Sequence, residues 1–195
     1  MKKYQMLPDT EYFLVDTRPA EDYRKAHLAQ SLNLTLANIE TYHQGLISKD
    51  QALLWLIASQ DNLDSLQTCL QQAQLEDQTI GYVVWADLED MAHETTTTIS
   101  VQEFFDLQDS PYQLLDVRHP SEITRPAPTK HLVSIPLQGL KDEIDKLQVE
   151  SPVYTLCGSG NRATTASSFL ANRGFKTVVI EGGMKAVQEY QISPQ

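Results

Sequence analysis

The amino-acid sequence predicts an α/β protein of two small domains, each a small parallel sheet with helices on both faces. Two observations lead there. Apolar runs alternate with polar, helix-like stretches, which is the pattern of strands joined by crossover helices. The alternation also occurs twice, with matching residues 100 positions apart. A chain of 195 residues has room for two units of about 100 residues each.

The elements follow in order. Residues 12–23 read Tyr-Phe-Leu-Val-Asp-Thr-Arg-Pro-Ala-Glu-Asp-Tyr, and residues 112–123 read Tyr-Gln-Leu-Leu-Asp-Val-Arg-His-Pro-Ser-Glu-Ile. Asp16 aligns with Asp116 and Arg18 with Arg118. Each segment is an apolar run closed by Asp-x-Arg, as in a buried strand running into a polar turn. Because the pair stands in both halves, it is assigned a structural job, an internal ion pair or a turn brace. Next, Ser31-Leu-Asn-Leu matches Ser134-Ile-Pro-Leu, and each is followed by a polar, helix-like stretch. A second apolar run comes after it, Ala52-Leu-Leu-Trp-Leu-Ile in the first half and Val153-Tyr-Thr-Leu in the second. After another helical stretch the third run appears, Ile80-Gly-Tyr-Val-Val and Thr177-Val-Val-Ile. The division is placed near Met91-Ala-His-Glu-Thr-Thr-Thr-Thr, giving domains 1–92 and 93–195. Ser100, with Glu103 three residues later, forms a capping box that opens a helix over 101–107.

Composition narrows the function. A formal net charge of −11 speaks against general nucleic-acid binding, which wants a basic face, and against docking on anionic lipid. A small anionic substrate stays open, because a local ring of backbone amides can outweigh an unfavourable global charge. No apolar stretch of about 18 residues predicts a membrane span. The start Met-Lys-Lys-Tyr is basic but has no apolar run behind it, so no signal peptide is read and a cytoplasmic location is expected. Two cysteines, Cys69 and Cys157, are too few for a disulfide framework or an all-cysteine zinc site. No metal or organic cofactor motif appears.

The chemistry concentrates in Leu156-Cys157-Gly158-Ser159-Gly160-Asn161-Arg162. An apolar strand delivers a cysteine, and a helix that Gly174 stops begins just beyond the small residues. The cysteine therefore lies at the C-terminal end of a strand, where open α/β sheets place their sites. Glycines let the backbone curl so that successive N–H groups point inward, and the positive end of the following helix adds to them. Such a cradle favours the Cys157 thiolate, and Arg162 adds a permanent positive charge. A persulfide on the same sulfur would be held by the same donors.

The second half resembles the rhodanese domain. The likeness runs through Leu-Leu-Asp116-Val-Arg118-His-Pro-Ser-Glu122, Ile135-Pro136-Leu137, the Cys157–Arg162 loop, Gly174-Phe175 and Val-Ile-Glu181-Gly182-Gly183-Met184. The first half resembles it through Val15-Asp16-Thr17-Arg18, Tyr23, His27-Leu28 and Ser31-Leu-Asn33-Leu. The resemblance implies tandem rhodanese-like domains and a sulfurtransferase. Sulfane sulfur would move from thiosulfate or another persulfide donor, through a Cys157 persulfide, to a thiophilic acceptor. Residues Gly158, Ser159, Gly160, Asn161 and Arg162 would cradle the substrate, with no cofactor. A protein donor or acceptor of sulfur is a further partner that it admits.

Two departures stand out. Arg125-Pro-Ala-Pro-Thr-Lys-His131 replaces a Gly-His-Ile-Pro-Gly-Ala-like segment that borders the family's site, which bears on substrate preference. In the first half, Ala58-Ser59-Gln60-Asp61 stands where the cysteine loop should be, so that half is read as catalytically silent. Cys69 falls inside a helix and is read as structural. Ser159 and Asn161 either donate to substrate or hold the turn. His131 is the histidine expected nearest the rim, and it reads as a surface residue. Met184 and Lys185 either line the pocket mouth or pack.

Two other functions compete. Phosphatases and arsenate reductases that resemble this family place five residues between cysteine and arginine, whereas four stand here. The shorter loop suits one sulfur atom better than a tetrahedral phosphate. A redox sensor or sulfur-relay binding module would use the same exposed, anion-stabilised thiol without transferring sulfur itself.

Overall fold

The computed structural model describes residues 1–88, 90–107 and 111–192. The chain separates into two compact units, Met1–Thr95 and Thr96–Gln195. The division falls inside the threonine run. His27 and Glu94 exchange backbone hydrogen bonds of 2.9 and 2.8 Å, which keeps residue 94 with the first unit.

The first unit comprises β1 (Phe13–Asp16), α1 (Ala20–Lys25), β2 (Leu32–Asn33), α2 (Leu36–Tyr42), β3 (Leu53–Ile57), α3 (Leu63–Ala73) and β4 (Thr79–Val84). Its four strands are parallel, in the order β2-β1-β3-β4. The central strand β3 reads Leu-Leu-Trp-Leu-Ile and every residue of it is buried, as a parallel strand covered on both faces requires. Trp55 is fully buried, and its indole N–H donates to Thr79 Oγ1 at 2.9 Å, so the one polar atom of the ring is satisfied.

The second unit contains β5 (Thr98–Ile99), α4 (Val101–Phe105), β6 (Gln113–Asp116), β7 (Leu132–Ser134), β8 (Val153–Leu156), α5 (Asn161–Ala171), β9 (Thr177–Ile180) and α6 (Gly183–Ile192). Its five parallel strands run β5-β9-β8-β6-β7. Leaving out β5, this is the strand order of the first unit. Even β5 has a counterpart there, since Lys3 makes an isolated parallel bridge to Tyr82 on the edge strand β4. The apolar core joins Phe104, Leu114, Leu156, Ile180, Met184 and Val187. Both units are thus α/β, each with a parallel sheet flanked by helices.

The Ser100 capping box forms. Ser100 Oγ accepts the Glu103 N–H at 3.2 Å, and the Glu103 carboxylate accepts the Ser100 N–H at 3.0 Å. Helix α4 ends at Phe105, two residues short of expectation. The helix-like stretch expected after Leu137 is instead two short 3-10 turns, Leu137–Gly139 and Ile144–Lys146. Gly139 weakens an α-helix there, and the apolar residues 137/140 and 144/147 recur every three positions, the period of a 3-10 turn.

Candidate functional site

Strand β8 delivers Cys157 to the C-terminal edge of the second sheet. The residue is 1% exposed. Its sulfur accepts the N–H of Gly160 at 3.1 Å and the N–H of Ala163 at 3.3 Å. These donors belong to the loop and to the first turn of α5, so the positive end of that helix faces the sulfur. Gly160 caps α5 with φ +96°, a conformation that L side chains rarely adopt.

The loop's carbonyls are committed elsewhere. The Met184 N–H donates to Cys157 O at 2.8 Å, and the Lys185 N–H to Gly158 O at 3.1 Å. Both donors lie in the first turn of α6, whose amides have no partner within their own helix. Because a trans peptide sets its N–H opposite its carbonyl, the N–H groups of Gly158 and Ser159 point away from α6. Met184 and Lys185, directly after Gly182-Gly183, therefore hold the loop through their backbone. The side chain of Met184 is buried in the core, and Lys185 is exposed.

Arg162 stands on the first turn of α5 and forms a two-pronged pair with Glu122. Nη1 meets Oε1, and Nη2 meets Oε2 at 2.9 Å. The Arg162 hydrogen bonds hold the Glu122 carboxyl below the usual carboxylate range. Glu122 also accepts the His119 N–H at 2.7 Å, closing the turn Pro120–Glu122 beyond β6. Sequence reasoning gave neither Glu122 nor His119 a role. The signal was present, because Glu122 follows His119 by three residues, the spacing of a capping box.

Ser159 and Asn161 are exposed on the loop. His131 lies elsewhere. It precedes β7, its carbonyl accepts the Leu114 N–H at 2.9 Å, and its ring meets Tyr112 edge-on at 5.0 Å. It is exposed, but at the end of the sheet where the strands begin, opposite Cys157. The other end of the departing segment does reach the strand ends, because Arg118 Nη1 donates to Arg125 O at 3.2 Å.

The repeated Asp-x-Arg is an internal ion pair in both units. Arg18 Nη2 lies 2.7 Å from Asp16 Oδ2 and Arg118 Nη2 2.7 Å from Asp116 Oδ2, with all four side chains buried. In the first unit, β3 leads to Ser59, which forms a capping box with Asn62. Cys69 is half-buried on α3, its thiol donates to Leu36 O at 3.5 Å, and burial pushes its pKa up. Among the described residues, no group of three or more His, Cys, Asp or Glu side chains is placed to hold a metal ion. Among them, too, no helix is long and apolar enough to cross a membrane.

Fold and site define a parallel α/β unit that presents a buried cysteine whose sulfur meets two backbone donors. Residues 100–190 match the rhodanese-like domain family. Over 90 residues the chain is 29% identical to YtwF of Bacillus subtilis (strain 168), named as a candidate sulfurtransferase, covering 46% of this chain and 85% of that protein. A rhodanese-related protein of Thermoplasma volcanium is 26% identical with a TM-score of 0.46, covering 50% of this chain and 95% of that one. A NAD-dependent persulfide reductase from A. fulgidus is 32% identical with a TM-score of 0.40, covering 47% of this chain and 16% of that one.

Proposed function

We propose that this protein is a sulfurtransferase in which Cys157 accepts a sulfane sulfur and passes it to a thiophilic acceptor. The observation that carries the reading is the sulfur of Cys157, buried at a strand end and met by two backbone N–H groups. The family match and the name of the Bacillus subtilis relative support it.

The thiolate is the nucleophilic form of cysteine. It attacks the outer sulfur of the donor, a new S–S bond forms, and the donor's own bond to that sulfur breaks. With thiosulfate, Cys–S⁻ and S–SO₃²⁻ give Cys–S–S⁻ and sulfite, so charge and atoms balance. The persulfide would carry its negative charge one atom beyond Sγ, beside the same backbone donors and the N-terminal end of α5. An acceptor thiolate or cyanide then attacks that outer sulfur and restores Cys–S⁻. Gly158, Ser159, Gly160, Asn161 and Arg162 are assigned as the substrate cradle. In this reading the first unit is a silent copy, supported by the shared strand order and by Ala58-Ser59-Gln60-Asp61 in place of a cysteine loop. The raised pKa of Cys69 disfavours it as a resolving thiol for a redox sensor.

The test is intact mass after incubation with thiosulfate or a persulfide donor, for wild type and Cys157→Ser. A gain of about one sulfur atom in the wild type alone, reversed by cyanide, is expected of a thiolate carrier. Sulfur loading that persists in the serine variant would overturn the assignment.

A further inference from the structure

We infer that this site takes its sulfur from an organic persulfide, and that Glu122 sets the preference against inorganic dianions such as thiosulfate. The inference rests on the reading of Cys157 as a persulfide carrier.

An arginine beside an anion-binding loop would by itself be a fixed positive charge that draws a dianion in. Here that charge is already matched, since both Nη atoms of Arg162 are engaged by Glu122. The carboxylate is anchored from behind by the His119 N–H at 2.7 Å, so swinging away would cost it that capping bond as well as the pair with Arg162. The pair also stands over the loop. Arg162 Nη2 would lie 3.6 Å from a Cβ placed on Gly158. An approaching dianion therefore meets a pair of zero net charge, one member of which repels it, on a chain of net charge −11. Lys185, whose backbone N–H meets Gly158 O, has an exposed side chain, whereas the Glu122 carboxylate is tethered to both Arg162 and His119.

A persulfide asks for less. The loop's amides suffice for one reacting sulfur, and no sulfonate group needs a cation. The step balances as R–S–SH and Cys–S⁻ giving Cys–S–S⁻ and R–SH. The donor's S–S bond breaks as the Cys157 S–S bond forms, and the persulfide's proton passes to the departing R–S⁻.

Sulfur transfer to cyanide is measured with thiosulfate and with cysteine persulfide as donors, for wild type and Glu122→Gln. Glutamine can still accept from His119 and hydrogen-bond Arg162, but it removes the negative charge. The wild type should prefer cysteine persulfide. The substitution should lower the KM for thiosulfate about fivefold or more and leave that for cysteine persulfide within about twofold, because a dianion feels the removed charge most. A purely structural Glu122 would move both donors alike. A wild type that prefers thiosulfate, or a preference that the substitution does not shift, overturns the inference while Cys157 still loads. If intact mass shows no sulfur on Cys157 from either donor, the carrier reading falls with it.

Discussion

Gly183 has no room for a side chain. A Cβ there would stand 2.4 Å from Cys157 O and 3.0 Å from Gly158 C, and its φ of +58° is left-handed. The obstacle is backbone of the candidate site, so either the cysteine loop or α6 must shift. Gly174 is the natural control, with φ +85° and nothing within 4 Å of its missing Cβ. Both Gly→Ala changes incur the backbone penalty of about 1 kcal/mol, but only Gly183→Ala adds overpacking of about 1–3 kcal/mol. Displacing a reacting group by about 1 Å can cost on the order of a hundredfold in rate. Gly183→Ala should therefore lose most of its rate of sulfur uptake at Cys157, while Gly174→Ala loses only thermal stability. Mass-detected loading and a melting curve on the two variants check this; equal loading rates would mean that the loop tolerates the shift. Cys157 and its glycines were legible in the sequence because one short segment holds the thiol, the turn and the helix start. Glu122 was not, because it meets Arg162 from 40 positions away and only the pairing of β6 with β8 brings them together.

Two helices, one in each unit, end by the same device. After α5, the Gly174 N–H donates to Ala171 O at 3.0 Å and the Phe175 N–H to Leu170 O at 3.2 Å, the paired bonds of a Schellman motif. After α3, the Gln74 N–H donates to Gln71 O at 3.2 Å and the Leu75 N–H to Leu70 O at 2.9 Å. The left-handed residue is glycine in one case and Gln74, at φ +57°, in the other. Gln74→Gly should stabilise the first unit by about 0.5 kcal/mol, since relief of left-handed strain exceeds the added freedom of the unfolded chain. A higher denaturation midpoint with an unchanged slope would show it, and a lower midpoint would mean that Gln74 has compensating contacts. Ser100→Ala should remove the cap of α4 at a cost of about 1 kcal/mol. Elements of this kind were legible where a cap, a glycine or an unbroken apolar run marked them. The 3-10 turns after Leu137 were not, because apolar residues at 137, 140, 144 and 147 also fit a helical face, which outweighed Gly139 and the spacing of three within each pair.

Across the whole chain, the repeat at an offset of 100 predicted two similar sheets, and the strand orders agree. Periodicity could find this because each parallel strand is a short apolar run with both faces covered. The physical character of the first unit was less legible, since it depends on what a buried polar group touches. His27 is 7% exposed, stacks on Tyr23 at 4.1 Å, and its Nδ1 bonds Tyr23 O at 2.9 Å. Burial lowers its pKa, and Arg18 lowers it further; the Tyr23 carbonyl, Glu94 and Asp16 act the other way without cancelling the shift. In the unfolded chain a histidine titrates near about 6.5. As pH falls below that value the unfolded chain takes up the proton first, so stability is full above it and declines on the way down to the lower folded pKa. The two tryptophans, Trp55 and Trp85, both lie in the first unit, so their fluorescence reports that unit alone. The urea midpoint read by fluorescence should fall between about pH 7 and about pH 5, and His27→Gln should flatten that slope. Parallel slopes in the two proteins would instead mean that Glu94, 3.9 Å from Nε2, moves in to offset the burial of the charged ring.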